Sequence, residues 1–201
     1  PVNLYGATKL ISDKLFIASS YSYAANSNTK LSVVRYGNVL GSRGSIIPSV
    51  MTNPNLEEFT LTHPDMTRFC ITLKEACELV FTAFHDMVGG EIYVKKIPSI
   101  YIKNLVEYMR PGIPQRIIGL RPGEKIHEQM IGTDDAPFTL EYPGHFKILP
   151  QIYDLYKDPN RIKSGLKVAN DFSYTSENND WWLNQKEFNI WLKQSSEDFQ
   201  Y

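Results

Sequence analysis

The chain has 201 residues, 42% of them hydrophobic and 21% charged, with a formal net charge of −1. That is an ordinary globular composition with room for one large domain or a domain plus a lobe, and its charge balance argues against a nucleic-acid surface. No apolar run approaches a membrane span and no basic-then-apolar start reads as a signal peptide, so a cytoplasmic protein without a membrane partner is expected. Cys70 and Cys77 read as reduced core residues, and His63, His85, His127 and His145 show no ligand spacing, so no metal is expected.

Leu4 to Ala25 reads as a helix whose core stripe is Leu4, Ala7, Leu10, Ile11, Leu15 and Ala18. Leu31 to Tyr36, bounded by Gly37-Asn38, is a β-rich run and predicts a buried strand ending in a turn. A helix followed by such a strand is half of a parallel α/β unit. Gly37 to Ser45 is a glycine-rich loop, Ile46 to Met51 begins a short helix and Phe59 to Thr62 a short strand. Thr72 and Glu75 carry the capping-box pattern, predicting a helix through about Met87 that Gly89-Gly90 stops. Glu91 to Val94 and Gln115 to Ile118 read as strands, Ser99 or Tyr101 to Met109 as a helix, and Lys125 to Met130 as a further helical turn or two. Beyond Ile131 the chain is turn-rich. Asp154 to Trp191 shows little periodicity apart from Trp181, Trp182, Phe188 and Trp191, a core cluster or an oligomer contact.

Tyr5 and Lys9 stand four positions apart on the first helix, hence on one face. A phenol is a poor base at neutral pH, but a cation held nearby favours phenolate, so the pair can make a general base for a substrate hydroxyl. An amphipathic helix with Lys9 in solvent would show the same spacing. No G-x-G-x-x-G fingerprint is present and no strand precedes the first helix, so the chain is expected to be the C-terminal part of a larger nucleotide-binding fold.

Four stretches together carry a family resemblance: Y-G-A-T-K-L-I-S-D-K-L-F, R-Y-G-N-V-L-G-S-R-G-S-I-I-P, M-T-R-F-C-I-T-L and G-L-R-P-G-E-K-I-H-E-Q-M-I. The chain resembles the extended short-chain dehydrogenase/reductases, and within them the inverting UDP-N-acetylglucosamine 4,6-dehydratases of the pseudaminic acid pathway. The resemblance implies an α/β chain in two parts. Residues 1–48 would be the C-terminal part of an NADP-binding Rossmann domain. Residues 49–201 would be mainly a small α/β substrate-binding lobe, with some strands and helices returning to the Rossmann domain. The sequence departs from the family at His63, where an acid is usual, at Cys70, where a tryptophan is usual, and at Lys95, which replaces a proline.

By that resemblance Tyr5 takes the proton of the sugar C4 hydroxyl, while Lys9 favours its phenolate and hydrogen-bonds the nicotinamide ribose. Val39 meets the nicotinamide end of NADP, and Asn38 and Thr62 contact UDP-N-acetylglucosamine. Arg43, Gly44, Ser45 and Ile46 offer a guanidinium and backbone N–H groups to its diphosphate, which Arg68 and Arg121 clamp. Glu124 holds the uridine ribose or pairs with a neighbour, and His127 and Glu128 are structural. The family's Thr-Asp-Lys stretch, which supplies the acid and base of the dehydration, is absent from this sequence. The implied product is a 4-keto-6-deoxy sugar nucleotide with C5 inverted, the first step toward pseudaminic acid of flagellin or surface glycans, made by a homo-oligomer. A non-catalytic sugar-nucleotide-binding fragment, a 4-epimerase and a retaining dehydratase are the competing readings.

Overall fold

A computed structural model describes residues 1–22, 27–151 and 157–195. The chain divides into two compact units, each assembled from three separate segments. Pro1–Tyr36, Cys77–Lys96 and Gln129–Tyr174 form the first; Gly37–Ala76, Ile97–Glu128 and Thr175–Tyr201 form the second.

The first unit starts with α1, Leu4–Ser22. Asn3 caps it, its side chain accepting from the Gly6 N–H at 2.8 Å. The last residues of the predicted helix, 23–25, lie outside the described residues. β1, Val33–Arg35, pairs in parallel with β5, Ile92–Lys95. A parallel pair needs a crossover, and here the connection includes α3, Leu73–Asp86, which leads back into this unit. The expected capping box is formed: Thr72 N–H donates to Glu75 Oε2 at 2.9 Å and Glu75 N–H to Thr72 Oγ1 at 3.2 Å. Leu79 and Ala83 of α3 pack on Tyr93, with Val34 and Met87 alongside. β9, Thr139–Glu141, β10, His145–Ile148, and β11, Leu166–Lys167, complete a sheet of order β1-β5-β10-β9-β11, in which only the β1–β5 pairing is parallel. This unit also holds β8, Gln129–Ile131, and a short helix α5, Pro159–Ile162; β12, Tyr174–Thr175, marks its end.

Three expectations are corrected here. The apolar stripe of α1 does not face the core: Leu4, Ile11 and Leu15 are more than half exposed, and the buried positions are Asp13 and Ser20. On the buried side Arg35 of β1 reaches Asp13 Oδ2 through Nη2 at 2.5 Å and Asp135 Oδ2 through Nη1 at 3.0 Å. Lys125 to Met130 is not helical; it bends at Ile126-His127 and runs into β8. Of the two cysteines only Cys70 is buried, whereas Cys77 on α3 is exposed.

β10 carries a lysine in mid-strand. Lys147 is 1% exposed. Its ammonium donates to Asp86 Oδ2 at 2.7 Å and lies 4.9 Å from the Tyr142 ring centroid and 5.7 Å from that of Tyr93. The Tyr93 hydroxyl donates to the same carboxylate at 2.7 Å, and Lys163 pairs with it from α5's end. Burial alone would raise the Asp86 carboxyl, but hydrogen bonds from Lys147, Lys163 and Tyr93 outweigh it and hold it well below the usual carboxylate range. Asp86→Asn strands a buried ammonium and is expected to destabilise the protein by about 3–5 kcal/mol at neutral pH in denaturant melts. Because the native carboxyl is depressed, this contribution is intact above about pH 4 and is lost as pH falls through the lower native value. The gap between wild type and Asp86→Asn should therefore narrow in acid.

The second unit is built on β4, Thr67–Ile71, which pairs in parallel with β2, Asn38–Val39, and antiparallel with β6, Ser99–Tyr101. A second pair joins β3, Phe59–Leu61, to β7, Gln115–Ile117. Helices α2, Ile46–Met51, α4, Ile102–Met109, and α6, Gln185–Ser195, cover one core containing Ile47, Leu61, Cys70, Ile100, Leu105 and Phe188. The aromatic patch near the C-terminus belongs partly to this core. Phe188 is buried and Trp191 packs against the cluster, while Trp182 stacks on Tyr101 with ring centroids 4.8 Å apart.

β2 can reach β4 only because residue 37 is glycine. A Cβ there would lie 2.4 Å from Phe69 Cβ and 2.9 Å from the Phe69 carbonyl oxygen, and backbone does not move aside cheaply. Gly37→Ala is expected to cost on the order of 1–3 kcal/mol in thermal or denaturant melts.

Candidate active site

The expected site residues fall in two groups. Tyr5 and Lys9 sit on α1 in the first unit, both exposed. The Lys9 ammonium lies over the Tyr5 ring, 5.2 Å from its centroid. The four-residue spacing thus brings the phenol and the cation together on one accessible face. All the other expected site residues belong to the second unit.

There, the loop after β2 turns twice. Ser42 N–H donates to the Val39 carbonyl at 3.2 Å and Ser45 N–H to the Ser42 carbonyl at 3.0 Å. Gly44 has φ +77°, with open space where a Cβ would be. Arg43 is exposed and makes no ion pair among the described residues. Ser45 Oγ is buried and lacks a hydrogen-bond partner among the described residues. Ile46 opens α2 and packs against the core. A free guanidinium, an unpartnered hydroxyl and a glycine that crowds nothing form a polar rim suited to an anion.

A second turn lies at Arg121-Pro122-Gly123-Glu124. Glu124 N–H donates to the Arg121 carbonyl at 3.0 Å, and Gly123 has φ +75°, which with Pro122 ahead of it makes a type II turn. The Glu124 carboxylate accepts from the Arg121 N–H at 3.0 Å and from Thr62 Oγ1 at 3.2 Å. Thr62 is itself buried. Arg121 is exposed, with no ion pair among the described residues. The turn holds the backbone and leaves the guanidinium available.

Arg68 is placed differently. Its Nη1 donates to the carbonyls of Thr67 at 2.7 Å and Ile126 at 3.0 Å, and its Nη2 to that of Lys125 at 3.0 Å. Its Nε lies 3.6 Å from Glu128 Oε1. Of the five guanidinium hydrogens, one on Nη2 remains for a ligand. Arg68 chiefly braces residues 125–128 against β4.

Glu128, read from the sequence as structural, lies beside two expected site residues. Besides Arg68, it meets Asn38: with the Asn38 amide nitrogen turned toward it, that nitrogen donates to Oε1 at 3.0 Å and Oε2 at 3.1 Å. Burial raises the Glu128 carboxyl above its ordinary value, against the pull of Arg68, the Phe69 N–H and Lys125. Asn38 pairs in register with Cys70, whose thiol is pushed up by burial and by the Glu128 charge and so stays protonated. Only the resemblance at R-P-G-E-K-I-H-E could have pointed to Glu128; its distance from Asn38 in sequence hides the contact. Nearby, Thr67 Oγ1 bonds His127 Nδ1 at 2.8 Å and Ser176 Oγ at 2.7 Å, while His127 Nε2 lies 3.1 Å from Glu177 Oε2. Among the described residues, no group of three or more His, Cys, Asp or Glu could hold a metal ion, and no helix is long and apolar enough to cross a membrane.

A mixed α/β unit built on the parallel β1–β5 pair, together with a second α/β unit, is consistent with the Rossmann-type architecture of the extended short-chain dehydrogenase/reductases. The family model described as "polysaccharide biosynthesis protein" matches residues 1–150, and the chain belongs to that family. It is 44% identical over 194 residues to a UDP-N-acetylglucosamine 4,6-dehydratase (inverting) of Campylobacter jejuni, covering 93% of this chain and 58% of that protein. It is 35% identical over 183 residues to a UDP-glucose 4-epimerase of Rickettsia akari, covering 89% and 53%. The X-ray structure of Pen from Bacillus thuringiensis superposes with a TM-score of 0.82 at 30% identity, over 98% of this chain and 59% of that one. The chain therefore spans little more than half the length of these relatives.

Proposed function

We propose that the protein dehydrates UDP-N-acetylglucosamine to a UDP-4-keto-6-deoxy-hexosamine with inversion at C5, a first step toward pseudaminic acid. The observation that carries this reading is the exposed Tyr5 phenol with the Lys9 ammonium over its ring, in a chain 44% identical to an inverting dehydratase. These two side chains fit a nicotinamide cofactor, since a phenol and an ammonium on one accessible face can donate to ribose hydroxyls. NADP, when bound, supplies the hydride acceptor and donor of the reaction. Tyr5 takes the proton of the sugar C4 hydroxyl, with the Lys9 ammonium beside it. Arg43 and Arg121, with the Ser45 hydroxyl and the Gly44 and Ile46 backbone, bind the diphosphate, to which Arg68 adds its remaining donor. Thr62 and Glu124 fix the loop that presents Arg121.

NMR of the product made from UDP-N-acetylglucosamine by the full-length protein tests the reading. A 6-methyl, 4-keto sugar with inverted C5 is expected. An epimerised sugar that keeps its C6 hydroxyl would instead place the protein with the 4-epimerases. Tyr5→Phe is expected to lower kcat by at least ~100-fold with little change in substrate affinity, because the ring and its packing survive while the acid–base hydroxyl is lost.

Arg121→Ala separates a ligand-binding arginine from a structural one. An exposed guanidinium that contacts diphosphate should, when removed, raise KM for UDP-N-acetylglucosamine by about 10- to 100-fold. Thermal stability should stay within about 0.5 kcal/mol of wild type, as for other surface changes. Arg121→Lys should recover only part of the loss, because an ammonium lacks the planar two-pronged fork.

A further inference from the structure

We infer that Glu128 is a positioning residue that locks the Asn38 amide with its nitrogen inward, so that Asn38 offers an acceptor oxygen to the ligand and selects a donor group there, a hydroxyl or an N–H. The inference rests on the function proposed above and adds a specificity element to it.

The geometry favours one orientation of the amide beside the Glu128 carboxylate. With its nitrogen toward Glu128, Asn38 donates to both carboxylate oxygens, at 3.0 and 3.1 Å. The opposite orientation sets the amide oxygen against those same two oxygens, acceptor facing acceptor. Donation to a carboxylate is among the stronger hydrogen bonds, so the choice is not close. Glu128 is itself held. Its N–H donates to Ser176 Oγ at 2.8 Å, its Oε2 accepts from the Phe69 N–H at 3.4 Å, and Arg68 stands 3.6 Å away. Asn38 is fixed from its own side by β2, in register with Cys70. Its residue is exposed, so the outward edge of the amide is accessible.

The outward group is therefore an oxygen. A phosphate oxygen or a uracil carbonyl, both acceptors, would meet it unfavourably. A sugar or ribose hydroxyl, or the N–H of an acetamido group, would meet it well. An unrestrained asparagine could turn to suit either; Glu128 removes that freedom and so makes the contact selective.

The test exchanges the two chemistries. Asn38→Asp alone sets two carboxylates face to face and is expected to weaken the calorimetric Kd for UDP-N-acetylglucosamine by at least about tenfold. In the double variant Asn38→Asp/Glu128→Gln, the new glutamine amide donates to the new aspartate, whose other oxygen still faces outward as an acceptor. The double variant is expected to return to within about threefold of wild type. Glu128→Ala should raise KM about five- to tenfold and leave kcat within about twofold, the pattern of a lost positioning contact. The inference is overturned if the double variant binds no better than Asn38→Asp, because an amide that used its nitrogen on the ligand cannot be replaced by aspartate in either background. It is equally overturned if Glu128→Ala folds and leaves KM unchanged. If Glu128→Ala does not fold, the exchange experiment decides alone. A wild-type protein that binds UDP-N-acetylglucosamine without dehydrating it would overturn the proposed reaction and leave these binding comparisons valid.

Discussion

The second unit depends on one brace. Arg68 leaves β4 and spends most of its guanidinium on the carbonyls of Thr67, Lys125 and Ile126. Three charge-assisted bonds from one side chain hold a stretch that forms no ladder of its own until β8. Glu128 comes to rest against Asn38, His127 against Thr67, and the turn at Pro122-Gly123 carries Glu124 to Thr62. Arg68, expected from the family resemblance to clamp a diphosphate, makes these three bonds to backbone carbonyls.

The first unit is organised by buried charge of a different kind. Asp86 gathers Lys147, Lys163 and Tyr93, and Glu91 pairs with Arg161, which also donates to the Gly89 carbonyl. Such pairs contribute little net stability over an apolar substitute, since desolvation offsets most of their attraction. β10 lies beside β5 in the register that sets Lys147 opposite Tyr93, within a hydrogen bond of Asp86. Arg35 likewise pairs with Asp13 on the inward side of α1.

What the sequence made legible was local. The α1 span, the capping box at Thr72 and Glu75 and the strand at Ile92 are set by neighbours a few residues away, and the spacing of Tyr5 and Lys9 is a property of one helix. What stayed hidden was remote. A lysine in mid-strand disguised β10, because its counter-charge lies on α3. The inward side of α1 could not be read from apolar spacing, because its buried residues are Asp13, paired with a strand residue, and Ser20. The Glu124 contact with Thr62 gave no local sign either, since Thr62 lies on the far side of the unit in sequence. Glu128 gave no local sign, since its partner is on β2.

The chain crosses between its two units five times, as their six alternating segments require. Neither unit is a contiguous stretch, so neither can be excised by two cuts in the gene. The parallel partners β1 and β5 must find each other across the whole of Gly37–Ala76, a loop closure that tends to slow folding. For evolution the same arrangement acts as a ratchet. A new substrate preference cannot be acquired by importing one foreign module, because the residues that would have to travel together are written in three places. Change in such a protein must come by point substitution, one side chain at a time, within a scaffold that recombination cannot easily divide.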